Sequence, residues 1–149
     1  MFKKILYPTD FSQCADNVIP YLKKFKNSGT KEIVVLHVID LRYTGYVESA
    51  SWFGEVMPYF KIDLFNTMKE EAEKKLKSIQ KKLSPHFKVK VRIEDGVPFK
   101  TIIEVAEKER VSLIAIGSHG KSNIEEMLLG SVSEKVIRKS DKPCMVIKR

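Results

Sequence analysis

With 149 residues, 43% of them hydrophobic and 31% charged, the chain suits one soluble domain over 1–149, large enough to bury a core without staples. Cys14 and Cys144 form no paired motif, and His37, His86 and His119 are scattered, which excludes a disulfide scaffold and a zinc module. The formal charge of +8 is dispersed lysine with only five arginines, which argues against nucleic acid, and no apolar run approaches the ~18 residues of a membrane span or forms a signal-peptide core in Met1–Asp10, so a cytoplasmic protein is expected.

Taken along the chain, Ile5-Leu6-Tyr7 predicts a short strand leaving through Pro8-Thr9-Asp10. Ser12 is placed to cap a helix whose apolar face is Ala15, Val18, Leu22 and Phe25. Pro20 should kink that helix, and Asn27-Ser28-Gly29 should stop it. Residues 33–39 are nearly all apolar and β-branched, as in a strand covered on both faces. His37 within them reads as a satisfied core histidine. Residues 40–60 read as a long irregular connection. Its aromatics, Tyr43, Tyr46, Trp52, Phe53, Tyr59 and Phe60, suit a lid or a subunit contact as well as internal packing.

Phe65, Met68, Ala72, Leu76, Ile79 and Leu83 then keep helical spacing, with Glu70–Lys74, Glu71–Lys75 and Glu73–Lys77 as favourable pairs on the wet side, until Ser84-Pro85. Phe87 to Glu94 alternates strictly between apolar and charged, the pattern of a half-exposed edge strand. Gly96 turns the chain and Pro98 opens a helix carrying Ile102, Ile103, Val105 and Ala106. Leu113–Ile116 is a second fully apolar strand, a helix follows over Ser131–Lys139, and Cys144–Ile147 is a final strand. Strands alternating with helices predict an α/β domain with a parallel sheet and right-handed crossovers.

Open parallel sheets bind ligands beyond the carboxyl ends of their strands. There the chain places Pro8-Thr9-Asp10 and Gly117-Ser118-His119-Gly120, followed after nine residues by Gly130-Ser131-Val132-Ser133. Glycine permits positive φ and close backbone approach to a phosphate, and the free N–H groups where the last helix begins favour an anion. The hydroxyls of Ser131 and Ser133 could add hydrogen bonds, and Lys121 stands within reach of a phosphate or in solvent. A plain βα turn with a Ser131–Glu134 capping box fits the same spacing. G-x-G-x-x-G does not occur, and a P-loop ending at Gly120-Lys121-Ser122 would need glycine where Ala115 stands inside a strand.

Ile5–Ser12, Leu36-His37-Val38 and Leu113–Ile147 resemble the universal stress protein family, and Gly117, Gly120, Gly130 and Ser131 satisfy its ATP-binding signature of G-x-x-G, nine residues, then G-[S/T]. The resemblance covers essentially the whole chain. It implies a three-layer, half-Rossmann α/β fold like the adenine nucleotide alpha hydrolases: an open twisted sheet of five parallel strands, order 3-2-1-4-5, with helices on both faces. It implies ATP as ligand, with Mg or Mn bound through the phosphates, and a homodimer formed through the final strand. It puts Asp10, helped by Pro8 and Thr9, at the ribose or adenine end, and Val38 beside the adenine. Ile116, Gly117, His119 and Gly120 line the ribose and phosphate path, and Gly130, Ser131, Val132 and Ser133 hold the phosphates. The function it implies is nucleotide-dependent regulation or stress protection with slow or no hydrolysis. The alternative is an ATPase or phosphotransfer enzyme using Asp10 or His119, with a partner protein supplying missing groups. The expected contacts are an adenine nucleotide, a second copy and an unidentified protein, with no nucleic acid and no membrane.

Overall fold

The computed structural model describes residues 1–40, 57–120 and 129–148, the side chains of 57–61 excepted. Tyr43, Tyr46, Trp52, Phe53, Lys121 and the side chains of Tyr59 and Phe60 therefore lie outside the described residues. Five strands form one sheet: β1 (Lys4–Pro8), β2 (Glu32–Ile39), β3 (Lys88–Asp95), β4 (Leu113–Gly117) and β5 (Cys144–Ile147). The order is β3-β2-β1-β4-β5, and every neighbouring pair is parallel. Ile5 stands opposite Ile33 on one side and Leu113 on the other, so β1 is the centre of the sheet.

The helices are α1 (Gln13–Asp16), α2 (Val18–Lys24), α3 (Met57–Leu83), α4 (Pro98–Lys108) and α5 (Ser131–Lys139). Because side chains alternate along a strand, each strand feeds two cores. Ile5, Tyr7, Ile33, Val35, Leu113 and Ala115 pack with Val18 and Leu22 of α2 and Ala72, Leu76 and Ile79 of α3. Leu6, Val34, Leu36, Ile114 and Ile116 pack on the other face with Ile102 and Val105 of α4 and Val136 of α5. Each fully buried aliphatic side chain contributes roughly 1.5–3 kcal/mol relative to exposure. Buried Tyr7 keeps its hydroxyl satisfied by donating to the Ala15 carbonyl at 2.8 Å, and burial pushes that phenol well above its ordinary range. Edge strand β3 is half-exposed, as its alternation predicts. Among the described residues no helix is long and apolar enough to cross a membrane.

Two boundaries differ from the sequence expectation. The first helix is interrupted at Asn17, between α1 and α2, three residues before Pro20. Proline lacks an N–H for the carbonyl four residues earlier and its ring crowds that carbonyl, which here belongs to Asp16. The long helix begins at Met57, inside the segment read as irregular. Pro58 is its second residue, a position where a missing N–H costs nothing.

Candidate functional site

The exits of β1 and β4 are adjacent because the strands pair, and each is built by local hydrogen bonds. At the β1 exit, Thr9 N donates to the Leu36 carbonyl at 2.8 Å and Thr9 Oγ1 accepts from Phe11 N at 3.0 Å. Asp10 Oδ1 accepts from Ser12 N at 3.0 Å, and Ser12 Oγ then caps α1 by accepting from Ala15 N at 3.2 Å. Phe11 adopts φ 64°, a left-handed conformation that costs a bulky residue roughly 1–3 kcal/mol. Its ring is held by a stack on His37 at 4.4 Å and by the Lys75 ammonium 5.2 Å from its centroid. His37 Nδ1 is 2.8 Å from the Thr9 carbonyl, so this histidine is a satisfied support, as its setting in β2 predicts. Pro8 and Thr9 are buried and Asp10 is half-buried.

At the β4 exit, Gly130 N donates to the Ser118 carbonyl at 2.6 Å, which pins the start of α5 to the 118–120 turn. Gly130 is the N-cap, with no side-chain cap hydrogen bond, and the first intrahelical bond runs from Glu134 N to the Gly130 carbonyl at 2.9 Å. The N–H groups of Ser131, Val132 and Ser133 thus form the first turn ahead of that bond, with the positive end of the helix dipole. The Ser131–Glu134 capping box does not form. Ser131 is the first helical residue and not the cap, and Glu134 pairs instead with Arg138 at 2.9 Å.

The glycines work by close approach. None of Gly117, Gly120 and Gly130 has positive φ, contrary to the expectation that such freedom motivates them. A Cβ on Gly120 would stand 2.7 Å from Asp10 Oδ2, so the two strand exits meet there. A Cβ on Gly130 would be 3.3 Å from both His119 Cα and the Ser118 carbonyl oxygen. Gly117 makes room for α1, since its Cβ would be 2.8 Å from the Cys14 carbonyl oxygen. The Ser133 hydroxyl is spent inside the protein, donating to the carbonyls of Ser118 (2.8 Å) and Gly130 (2.9 Å) on a residue only 3% exposed. Its contribution to an anion is therefore limited to its backbone N–H, whereas Ser131 is exposed.

The structure brings Asp10, His119, Gly120 and Gly130 together where the β1 and β4 exits meet, with Ser131 opening α5 beside Gly130. Val38, Ile116 and Val132 share the apolar cluster on the α4/α5 side, together with Phe99, whose ring has the Lys135 and Lys139 ammoniums 5.3 and 5.7 Å from its centroid. Phe11 and Ser118 are supporting residues that the motif spacing does not single out. Among the described residues no group of three or more His, Cys, Asp and Glu side chains could hold a metal.

A different kind of chemistry occupies the opposite end of β1. Glu109, at the end of α4, is bound by Lys4 (2.8 Å), Lys90 (2.6 Å) and Arg92 (2.8 Å), while Lys4 also meets Glu32 at 3.3 Å and Arg92 also pairs with Glu94. The Lys4 hydrogen bond, with those from Lys90 and Arg92, lowers the Glu109 carboxyl to about 2.

The described universal stress protein family matches residues 1–148. Universal stress protein MJ0577 of Methanocaldococcus jannaschii is 43% identical over 156 residues, covering 100% of this chain and 96% of the relative. The solved structure of hypothetical protein MJ0577 superposes with a TM-score of 0.86 at 46% identity, covering 100% of this chain and 97% of that one. The universal stress protein from Archaeoglobus fulgidus solved in complex with dAMP shares the fold, with a TM-score of 0.64 at 18% identity and coverage of 99% and 98%. By its sequence along nearly the whole length and by its strand order, the chain belongs to the universal stress protein family.

Proposed function

We propose that the chain binds an adenine nucleotide, ATP, in the crevice between the β1 and β4 exits. The observation that carries this reading is the junction of two elements. The first turn of α5, pinned to Ser118, offers the N–H groups of Ser131, Val132 and Ser133, and beside it Asp10 Oδ2 lies against Gly120. A helix N-terminus favours phosphate, and a carboxylate favours the hydroxyls of a ribose. The phosphates lie along Gly117, His119, Gly120 and Gly130–Ser133. Asp10 takes the ribose, backed by Pro8 and Thr9, and Val38 and Ile116 give the base an apolar wall. A divalent cation, Mg or Mn, travels with the triphosphate.

The protein acts as a cytoplasmic nucleotide-dependent regulator or stress-protection factor, with slow or no hydrolysis. Backbone donors explain retention of a phosphate better than its transfer, which needs a positioned base and compensation of the transition-state charge. The short edge strand β5, half-buried at Cys144, Met145 and Val146, supports pairing with a second copy into a homodimer. The dAMP bound by the A. fulgidus protein makes AMP the second ligand to test. Mass spectrometry of ligand released from purified protein tests the reading. ATP or another adenylate at near-stoichiometric yield is expected. A different class of ligand, or rapid phosphate release from added ATP, contradicts it.

A further inference from the structure

Ser118 is the most tightly anchored residue of the crevice. It is 1% exposed. Its N–H donates to the Ile147 carbonyl of β5 at 2.8 Å. Its carbonyl accepts from Gly130 N at 2.6 Å and from the Ser133 hydroxyl at 2.8 Å. Three hydrogen bonds thus fix the Ser118 backbone. Its hydroxyl then meets two side chains, His119 Nδ1 at 2.8 Å and Cys14 Sγ at 3.6 Å, and Cys14 in turn donates to the Ile147 carbonyl at 3.7 Å.

We infer that Ser118 is a positioning residue for the nucleotide site, fixing the His119 imidazole through Nδ1. The inference rests on the nucleotide reading above and goes beyond it by assigning an orienting partner to His119. An imidazole has two nitrogens whose proton placement depends on what each one touches. With Nδ1 engaged by the Ser118 hydroxyl at 2.8 Å, the orientation of the His119 ring is tied to the Ser118 backbone. Because Ser118 is bonded to Ile147, the ring orientation is referenced to β5 and not to the turn alone. Cys14 Sγ, 3.6 Å away, is the second side chain that the hydroxyl meets.

The test is a double-mutant cycle on the full chain, read by calorimetric titration of ATP with Mg, together with 1H–15N correlation of the histidine rings. Ser118→Ala should weaken ATP about five-fold, the scale of one hydrogen bond. In a His119→Ala background the same change should have no further effect, because Ser118 acts through the ring. The His119 Nδ1 chemical shift should move in Ser118→Ala, the mark of a lost hydrogen bond. Unchanged affinity in Ser118→Ala, or an equal loss with and without His119, overturns the inference. Should Ser118→Ala fail to fold, Ser118→Cys, which keeps the volume and weakens the hydrogen bond, takes its place in the same cycle with the same outcomes. A wild-type chain that does not bind ATP overturns the nucleotide reading and this inference with it, whereas an unchanged His119 Nδ1 shift in a folded variant of a chain that binds ATP overturns this inference alone.

Discussion

The two ends of β1 handle polarity in opposite ways. At its amino end, Glu109 gathers Lys4, Lys90 and Arg92 so that charge is matched by charge within the protein. At its carboxyl end, the turn around Gly120 and Gly130 uses small residues and backbone bonds, and it presents the first-turn N–H groups of α5 beside one carboxylate. The contrast separates two tasks on one sheet. The amino end fastens β1, β3 and α4 together, and the carboxyl end joins two strand exits through small residues and backbone bonds. Damage to one end should therefore spare what the other provides.

The largest effect is expected at Gly130. A valine there would put its Cβ 3.3 Å from His119 Cα and the Ser118 carbonyl oxygen, tight enough to press α5 off the turn by a few tenths of an ångström, and would set its methyl groups where a phosphate would approach the backbone. Forcing α5 away from the turn should cost about 100-fold or more in ATP affinity, within the ~1–3 kcal/mol typical of overpacking plus the lost donors. Calorimetric titration measures the loss, and circular dichroism should show the helix content retained. At the other end, Glu109→Gln leaves three cations facing a neutral amide. Denaturant unfolding should show a loss of about 2 kcal/mol, the scale of hydrogen bonds to a charged group, with ATP affinity unchanged.

Acid titration sharpens the same contrast. Glu109 titrates at about 2 in the fold against an ordinary 4.5, a lowered value. Its stabilisation is therefore complete above pH ~4.5 and is lost as the pH falls from there toward ~2. Unfolding curves of the wild type should show this loss, and Glu109→Gln should lack that part of it. The smallest effect is expected at Ser12, which caps α1 and whose own N–H donates to Asp10 Oδ1. Ser12→Ala should cost about 1 kcal/mol by thermal unfolding, and it should weaken ATP less than any change at Gly130.

Much of the fold was legible because its signals are local. The apolar runs at 33–39 and 113–116 marked strands buried on both faces, and the alternation of Phe87–Glu94 marked an edge. Strand order was not carried by any run of residues and came with the family resemblance. Of the site, the spacing from Gly117 to Ser133 was readable because close approach demands small residues at fixed intervals. Of the two reasons given for the glycines, positive φ fails: Gly117, Gly120 and Gly130 instead relieve contacts with Cys14, Asp10 and Ser118. Ser131 resembled an N-cap because Glu134 follows three residues later, but Gly130 takes the cap and Arg138 takes Glu134. Ser118 and Glu109 were silent in the sequence. Their partners come from strands and helices far along the chain, and no spacing encodes such meetings.

The central claim is that the carboxyl-end crevice holds ATP while the amino-end network holds the fold. The most direct measurement is calorimetric titration of ATP into the wild type, Gly130→Val and Glu109→Gln, each checked for folded content. The account predicts saturable one-site binding in the wild type, the same affinity in folded Glu109→Gln, and a loss of about 100-fold or more in folded Gly130→Val. Equal ATP affinity in the wild type and Gly130→Val, or no ATP binding by any of the three, would contradict it.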